Sequence, residues 1–360
     1  MKVFISAGEK SGDIILGGVL SELKKKCKIE AFGVGGEACL REGVLLIESE
    51  NSLRGFGFCE VIPKLYRHIT FFRSVVKQLL EFGPDLVLLC DYAEFNYNLA
   101  KVCKDAKLKC YYVSPPQVWA WRSYRKEVLK NCLIGGALVL PFETEIWGDE
   151  KRFRFFGNPL AYLASFKRWN PIKNQIAIFP GSRPSELKAL GKVLADACLE
   201  LKKWDSSLKF VVALAVEERL AREFFRDEIF SFSSDSLEVL SSSRVAVVKS
   251  GSSTVEACVI GVPCCVVYRV NILTEILARF LLKVNAVAIP NLLVPGAVPE
   301  FVTAFSCKAD KIANFVVETL SNEANEESQL TKLAQVKQKL LPQGQNPFAS
   351  IADHILSLAR

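Results

Sequence analysis

The sequence predicts an α/β fold built as two Rossmann-like, doubly wound parallel-sheet domains with a cleft between them. Short runs rich in apolar and β-branched residues alternate with helical patterns throughout the 360 residues, a length that suits about two domains. Many of these runs are apolar on both faces, as in Asp85-Leu-Val-Leu-Leu-Cys90, which fits parallel strands covered by helices on either side. The polar motifs follow the ends of these runs, the edge at which open α/β sheets bind ligands.

The expected strands begin with Lys2–Ala7, where Met1-Lys-Val-Phe-Ile-Ser-Ala7 is too short for a signal peptide. Next come Ile29–Val34, Asp85–Cys90, Lys109–Val113 and Ala137–Leu140. Before Asp85, the residues Leu65, Ile69, Phe72, Val76 and Leu79 recur at four-three-four spacing and predict one buried helical stripe, with Phe71 falling off it near Arg67. Turn chemistry in Arg168-Trp-Asn-Pro-Ile-Lys-Asn-Gln175 places the domain boundary there, giving an N-terminal domain of 1–168 and a C-terminal one of 169–340. The second set of strands is Ile176–Phe179, Lys209–Leu214, Val245–Val248, Cys264–Tyr268 and Val287–Pro290. Leu341-Pro-Gln-Gly-Gln-Asn-Pro347 breaks the chain before a final amphipathic helix, Phe348–Ala359, so that 341–360 is expected to return to the N-terminal domain.

Net charge is +7, and its placement is more telling than its size. Residues 61–80 hold Lys64, Arg67, Arg73 and Lys77 without an acid, and residues 151–185 hold seven basic residues without one. Such blocks favour phosphate, nucleotide, nucleic acid or an anionic membrane. The twelve cysteines include no Cys-x-x-Cys pair and stand beside only two histidines, which predicts reduced thiols, a cytoplasmic location and no structural zinc. The longest uncharged apolar run, Ala257 to Tyr268, contains Gly261 and Pro263 and cannot span a bilayer.

Tyr111-Tyr-Val-Ser-Pro-Pro-Gln-Val-Trp-Ala-Trp-Arg122-Ser-Tyr-Arg125 crowds indoles and guanidinium groups after a strand. Trp119 and Trp121 offer flat apolar surface. Arg122 and Arg125, three apart, would share a helix face and grip one phosphate, or else the arginines are solvated and the indoles close a domain edge. In Pro180-Gly181-Ser182-Arg183-Pro-Ser-Glu, a glycine turn opens a helix whose free N–H groups, with Arg183, suit an anion; a plain helix start is the competing account. Ser250-Gly251-Ser252-Ser253-Thr254-Val-Glu256 lets backbone N–H groups approach a diphosphate, with Glu256 accepting from a ribose diol, whereas Ser253 and Glu256 also read as a capping box. Asp91 and Glu94, past a very apolar strand, are candidates for a general base whose pKa desolvation raises; Asp91 reads equally as a helix cap. Arg67, Phe71 and Arg73 suggest a face that touches an anionic membrane, against which stands packing under a neighbouring helix.

Taken in order, Ala7-Gly-Glu-x-Ser-Gly-Asp13, Gly33-x-Gly-Gly36, Asp91-x-x-x-Phe-Asn96, Val113-Ser-Pro-x-x-Val-Trp-Ala-Trp-Arg122, Leu140-Pro-Phe-Glu143, Pro180-Gly-Ser-Arg183, Ser250-Gly-x-x-Thr-x-Glu256, Pro290-Asn-Leu-Leu293 and Pro299-Glu300 resemble bacterial lipid-A-disaccharide synthase across nearly the whole chain. The resemblance implies a GT-B glycosyltransferase that is inverting and needs neither metal nor cofactor. The donor would be UDP-2,3-diacylglucosamine, the acceptor 2,3-diacylglucosamine 1-phosphate, and the products the β-1,6 disaccharide 1-phosphate and UDP. It further implies donor contacts at Gly181, Ser182, Arg183, Ser250, Gly251, Ser252, Ser253, Thr254, Glu256 and Asn291. Acceptor contacts would fall at Ser11, Asn96, Trp119, Trp121, Arg122 and Arg125, and catalysis at Asp91, Glu94 and Arg183. A peripheral position on the cytoplasmic face of the inner membrane follows, with room for a homo-oligomer and no role for nucleic acid.

Four positions depart from the family pattern. Glu94 stands where the family usually has a second aspartate, so the base is Asp91 or Glu94. Asn158 and Tyr162 replace the His and Asp of a frequent Gly-His-Pro-Leu-x-Asp, and Thr303 replaces a common glutamine. The alternatives are another UDP-sugar enzyme of the same fold, such as a cell-wall N-acetylglucosaminyltransferase or a UDP-sugar 2-epimerase, or a basic membrane or nucleic-acid binding module.

Overall fold

The computed structural model describes every residue except 48–60, 121, 227, 270–285, 304, 343–344 and 360, with the backbone alone for 61–67. The chain divides into two units. One runs to Tyr162 and is completed by the return from Leu340 onward; the other spans Leu163–Lys339.

Among the described residues the first unit holds a parallel sheet of β1 (Lys2–Ala7), β2 (Glu30–Val34), β3 (Leu45–Leu46), β4 (Leu86–Cys90), β5 (Cys110–Val113), β6 (Gly135–Leu138) and β7 (Phe153–Phe155). Its order is β3-β2-β1-β4-β5-β6-β7, so the winding reverses between β1 and β4. β4 and β5 are buried along their whole length, which is why their sequences carry no alternation. Register pairs Ala7 with Cys90 and Cys90 with Val113, so the segments after three adjacent strands start side by side at the reversal.

The second unit repeats this plan with β8 (Ile172–Phe179), β9 (Lys209–Ala213), β10 (Phe230–Ser233), β11 (Ser243–Lys249), β12 (Cys264–Val267) and β13 (Glu300–Phe301), ordered β10-β9-β8-β11-β12-β13. Here Phe179 pairs with Val248 and Lys249 with Val267, which aligns the Gly181 and Gly251 turns. The architecture is the two parallel-sheet α/β fold that the sequence predicts.

Several elements differ from expectation. Val287–Pro290 is not a strand: the chain there enters the helix Ile289–Leu293, with Pro290 in the first turn, where it needs no N–H partner. β6 starts two residues before the predicted run, because Gly135 and Gly136 look like turn residues. Gly135 instead admits a close neighbour: a Cβ there would lie 2.5 Å from the Leu358 side chain. The short strands β3, β7, β10 and β13 escaped notice because two to four residues show no usable period. In the helix Val61–Phe82 the predicted stripe holds at Phe72, Val76 and Leu79, which pack into the core, and is broadened by Val75 and Phe71 while Ile69 falls outside it. Val75 and Leu79 are fully buried, Ile69 is 43% exposed, and Phe71 packs on Phe95 at 5.9 Å. Phe71 is therefore half-buried against the core, which favours packing under a neighbouring helix over a membrane contact. Arg73 is exposed; the side chains of Leu65 and Arg67 lie outside the described residues. No described helix is long and apolar enough to cross a membrane.

The helix Pro347–Ala359 closes the first unit by packing on the helix Lys10–Lys24. Phe348 fits where Gly18 lacks a side chain; a Cβ at Gly18 would lie 2.5 Å from its ring. His354 bridges from this helix to the sheet, taking a hydrogen bond from the Tyr111 hydroxyl at 2.8 Å and donating to the Lys151 carbonyl at 2.9 Å. Phe348→Ala is expected to destabilise the first unit by about 3–5 kcal/mol, read as a lowered urea midpoint for that unit's transition.

Candidate active site

In the first unit the site is built on a strained turn. The described non-glycine residues with positive φ are Asp91 (48°), Tyr92 (47°), Ser114 (56°), Arg122 (55°) and Lys107 (58°), and all but Lys107 lie in the segments after β4 and β5. Left-handed backbone in residues with side chains persists only where surrounding contacts impose it. Asn96 supplies those contacts. Its amide nitrogen donates to the carbonyls of Ser6 (3.1 Å), Cys90 (3.0 Å) and Asp91 (3.0 Å), and its oxygen accepts from the Ser6 hydroxyl (2.6 Å). The Tyr112 hydroxyl adds a bond to the Asp91 carbonyl at 2.5 Å. Tyr92 lies flat against Phe95 at 4.7 Å and over Gly8, where any Cβ would sit 2.4 Å from the ring. Asn96 is thus fully buried with its amide committed, which corrects its assignment as an acceptor contact.

This turn aims the Asp91 carboxylate at two hydroxyls. Ser11 donates to one oxygen at 2.9 Å and Ser114 to the other at 3.1 Å. Neither oxygen caps the following helix, whose N-cap is Tyr92, so the capping account of Asp91 does not hold. Burial raises the carboxyl's pKa above its ordinary value, against the opposing pull of the two serine hydrogen bonds. Glu94 has the opposite character. Burial alone would raise it, but hydrogen bonds and charge from Arg125 and Arg122 bring its pKa below the usual range. Arg125 Nη2 lies 2.8 and 2.6 Å from the two Glu94 oxygens, and Arg122 Nη1 lies 2.7 Å from one of them. The helix begins at Arg125, leaving Arg122 outside it, so the two arginines do not share a helix face; they converge through the loop instead. Arg125 is buried and stacks on Tyr97 at 4.6 Å.

Sequence reasoning gave Glu143 no role. It is fully buried and accepts from the Trp119 indole N–H at 3.0 Å and from the backbone N–H groups of Leu140 (3.0 Å) and Val139 (3.2 Å). Trp119 also meets Phe142 edge-on at 5.1 Å, so its indole anchors the loop. Burial pushes the Glu143 carboxyl up to about 7 despite these donors. Trp121 lies outside the described residues. Asp13 accepts from the N–H groups of Gly36, Ala38 and Cys39 and so fills the turn after β2 with the protein's own carboxylate. Asn158 caps the helix Pro159–Ala164 through the N–H groups of Leu160 and Ala161, and Tyr162 packs near Phe348.

In the second unit the helix Ser252–Ile260 starts at Gly251 with no side chain capping it, so the capping-box account of Ser253 and Glu256 fails. Every residue of this helix is buried except Ser252, Ser253 and Glu256, which form one open strip at its N-terminal end. Thr254 is buried and its hydroxyl turns back to the Lys249 carbonyl at 3.5 Å, which corrects its donor assignment. The Ser250 hydroxyl reaches the Val287 carbonyl at 3.3 Å. The Asn291 amide donates to the Val298 carbonyl and to Glu300 and accepts from the Val298 N–H. Glu300 in turn holds the N–H groups of Val287 and Ala288, so this motif pair braces a helix entry.

Arg183 is the exposed N-cap of the helix Pro184–Trp204. Gly181 has φ 117°, and a Cβ there would sit 2.5 Å from the Glu186 carboxylate. That carboxylate takes the Ser182 N–H at 2.8 Å, so this donor is not free as expected. Lys249, missed from the sequence, pairs with Glu186 at 2.8 Å between the two glycine turns. A charged residue ending the apolar run Val245–Val248 was the signal for it.

Two parallel α/β sheets with their polar turns gathered at the strand ends define the architectural class of the GT-B glycosyltransferases. Solved structures agree on the fold. The UDP-GlcNAc 2-epimerase from Neisseria meningitidis bound to UDP-GlcNAc matches with TM-score 0.69 at 13% identity, covering 99% of each chain. The glycosyltransferase of kitacinnamycin matches with TM-score 0.64 at 16% identity, covering 99% of this chain and 98% of that one. A family model described as lipid-A-disaccharide synthetase matches residues 3–355, and the chain belongs to this family, whose members are glycosyltransferases. Among its relatives, lipid-A-disaccharide synthase of Koribacter versatilis (strain Ellin345) is 30% identical over 383 aligned positions, covering 100% of this chain and 99% of the relative. Lipid-A-disaccharide synthase 1 of Legionella pneumophila (strain Lens) is 29% identical, covering 94% and 93%.

Glu143 gives a test of the first unit. Its pKa rises from 4.5 unfolded to about 7 folded, so the folded protein holds this proton more tightly. The stability this contributes is present below about pH 4.5 and is lost as pH rises through about 7, a total of about 3 kcal/mol. Urea denaturation of wild type and Glu143→Gln from pH 4 to 8 should show the wild type losing ground by that amount; a constant difference would show that Glu143 does not titrate there.

Proposed function

We propose that this chain joins two acylated glucosamines: it transfers 2,3-diacylglucosamine from UDP to the 6-hydroxyl of 2,3-diacylglucosamine 1-phosphate with inversion. The products are the β-1,6 disaccharide 1-phosphate and UDP. The observation that carries this reading is the Asp91 carboxylate, raised in pKa by burial and held between two serine hydroxyls on a strained turn. A base of raised pKa at this position takes the proton of the acceptor 6-hydroxyl. The freed oxygen attacks the anomeric carbon from the face opposite the diphosphate, the carbon–oxygen bond to UDP breaks, and the electron pair leaves with UDP.

On the donor side, the open N-terminal strip of Ser252 and Ser253 offers backbone N–H groups to the departing diphosphate, with Gly251 allowing close approach and Glu256 on the same strip for the ribose. Arg183 supplies positive charge, so the reading requires no metal and no cofactor. Gly181, Ser182 and Ser250 shape the two turns. On the acceptor side, Arg122 and Arg125 receive the sugar phosphate, while Ser11 orients Asp91 and Trp119 holds the loop. Substrates with acyl chains place the enzyme at a membrane surface from the cytoplasmic side, with exposed Arg73 available to anionic headgroups.

The first test is UDP release by detergent-solubilised protein given UDP-2,3-diacylglucosamine, with and without the acceptor, and mass spectrometry of the product. Acceptor-dependent release with a disaccharide phosphate supports the reading; tight UDP binding without turnover would refute it. Asp91→Asn should lower kcat by about 10²–10⁴ while UDP affinity holds, and a mild loss would remove Asp91 as the base. Arg183→Ala should weaken UDP binding about tenfold or more; calorimetry showing unchanged affinity would remove its role.

A further inference from the structure

Three charged side chains meet in the first unit, and they are not equally held. Arg125 is 6% exposed, with its guanidinium stacked on Tyr97 at 4.6 Å, one helical turn from Glu94 on the same helix. Its Nε is buried without a hydrogen-bond partner, and its Nη2 makes both contacts to the Glu94 carboxylate. Arg122 is 36% exposed and completes the clamp from the loop. The Glu94 carboxylate that fills the clamp is 66% exposed and stands in the first turn of the helix Ala93–Asp105.

These exposures decide which member can leave. An unpaired Arg125 would leave a buried charge uncompensated, which is strongly destabilising. A glutamate that is mostly in water loses little when its ion pairs open, because exposed pairs contribute about 0–1 kcal/mol. The clamp therefore favours an anion, and Glu94 is the exchangeable one. A phosphomonoester carries a charge of about −1.5 to −2 and three acceptor oxygens, against one charge and two oxygens for a carboxylate.

We propose that Glu94 is a built-in substitute for the acceptor's phosphate. Its carboxylate occupies the Arg122–Arg125 clamp until a phosphomonoester displaces it, and this competition makes Glu94 a specificity-determining residue. The inference rests on the reading above that the clamp receives the acceptor phosphate. A sugar with a neutral hydroxyl in place of the phosphate cannot compete with a carboxylate for two guanidinium groups, so the phosphorylated acceptor is selected.

The test is Glu94→Gln, which keeps the shape and removes the charge. The KM for 2,3-diacylglucosamine 1-phosphate should fall about fivefold, because the competing anion is gone. The apparent Kd for inorganic phosphate, titrated calorimetrically in the absence of sugar substrates, should fall by a similar factor. Arg122→Gln, which removes one positive charge from the clamp, should raise both values. Tighter binding is an outcome that neither a base nor a structural strut at position 94 would give. If Glu94→Gln instead raises KM or collapses kcat with no gain in phosphate affinity, the proposal is overturned. The two readings fail separately: tighter phosphate binding by Glu94→Gln in a protein that shows no acceptor-dependent UDP release would sink the transferase reading and keep the clamp. Acceptor-dependent release with identical phosphate affinity in both proteins would do the reverse.

Discussion

The amide of Asn96 is the constraint on which the first unit's chemistry depends. Two consecutive left-handed residues with side chains are unfavourable, and the turn that follows β4 survives because Asn96 ties together the carbonyls of two strand ends and of Asp91 itself. The Tyr112 hydroxyl and the flat contact of Tyr92 with Gly8 complete the restraint. The strain has a local effect. It turns the Asp91 carboxylate away from the helix it would otherwise cap and toward Ser11 and Ser114. A carboxylate serving as a helix cap would be acidified by N–H groups; one facing two hydroxyls under a layer of protein is made more basic.

The second unit handles charge in a different way. It leaves donors open on an otherwise buried helix, with only Ser252, Ser253 and Glu256 reaching the surface. The neighbouring helix start is partly closed by its own Glu186, which takes the Ser182 N–H and neutralises Lys249. One fold plan thus carries a buried carboxylate at a strand end in one unit and an uncapped helix start at a strand end in the other.

Much of this was legible in the sequence because strand ends in parallel sheets are marked by a change from apolar to small and polar residues. Asp91, the Gly181 turn and the Ser250–Ser253 run were all located this way. What could not be read was the direction of individual side chains. Asn96, Thr254 and Asn291 sit in the same motifs as residues that face outward, yet each turns inward to brace a turn or helix start. One residue along a helix rotates a side chain by about 100°, which exchanges surface for core, and the same ambiguity moved Phe71 against the core and Ile69 out. Glu143 was hidden for a different reason: an acid in a first helical turn looks like a dipole partner, and only folding brings Trp119 onto it.

The helix Pro347–Ala359 has a consequence for how the chain is made. Among the described residues the second unit is continuous in sequence, whereas the first takes its closing helix from the far end of the chain. During synthesis the surface of Lys10–Lys24 around Gly18, and the Tyr111 hydroxyl, wait for partners that leave the ribosome after the whole second unit. The first unit to begin emerging is therefore the last to finish folding. For that interval, long at ribosomal speeds of about 5–20 residues per second, its uncovered apolar face is what chaperones and premature self-association compete for.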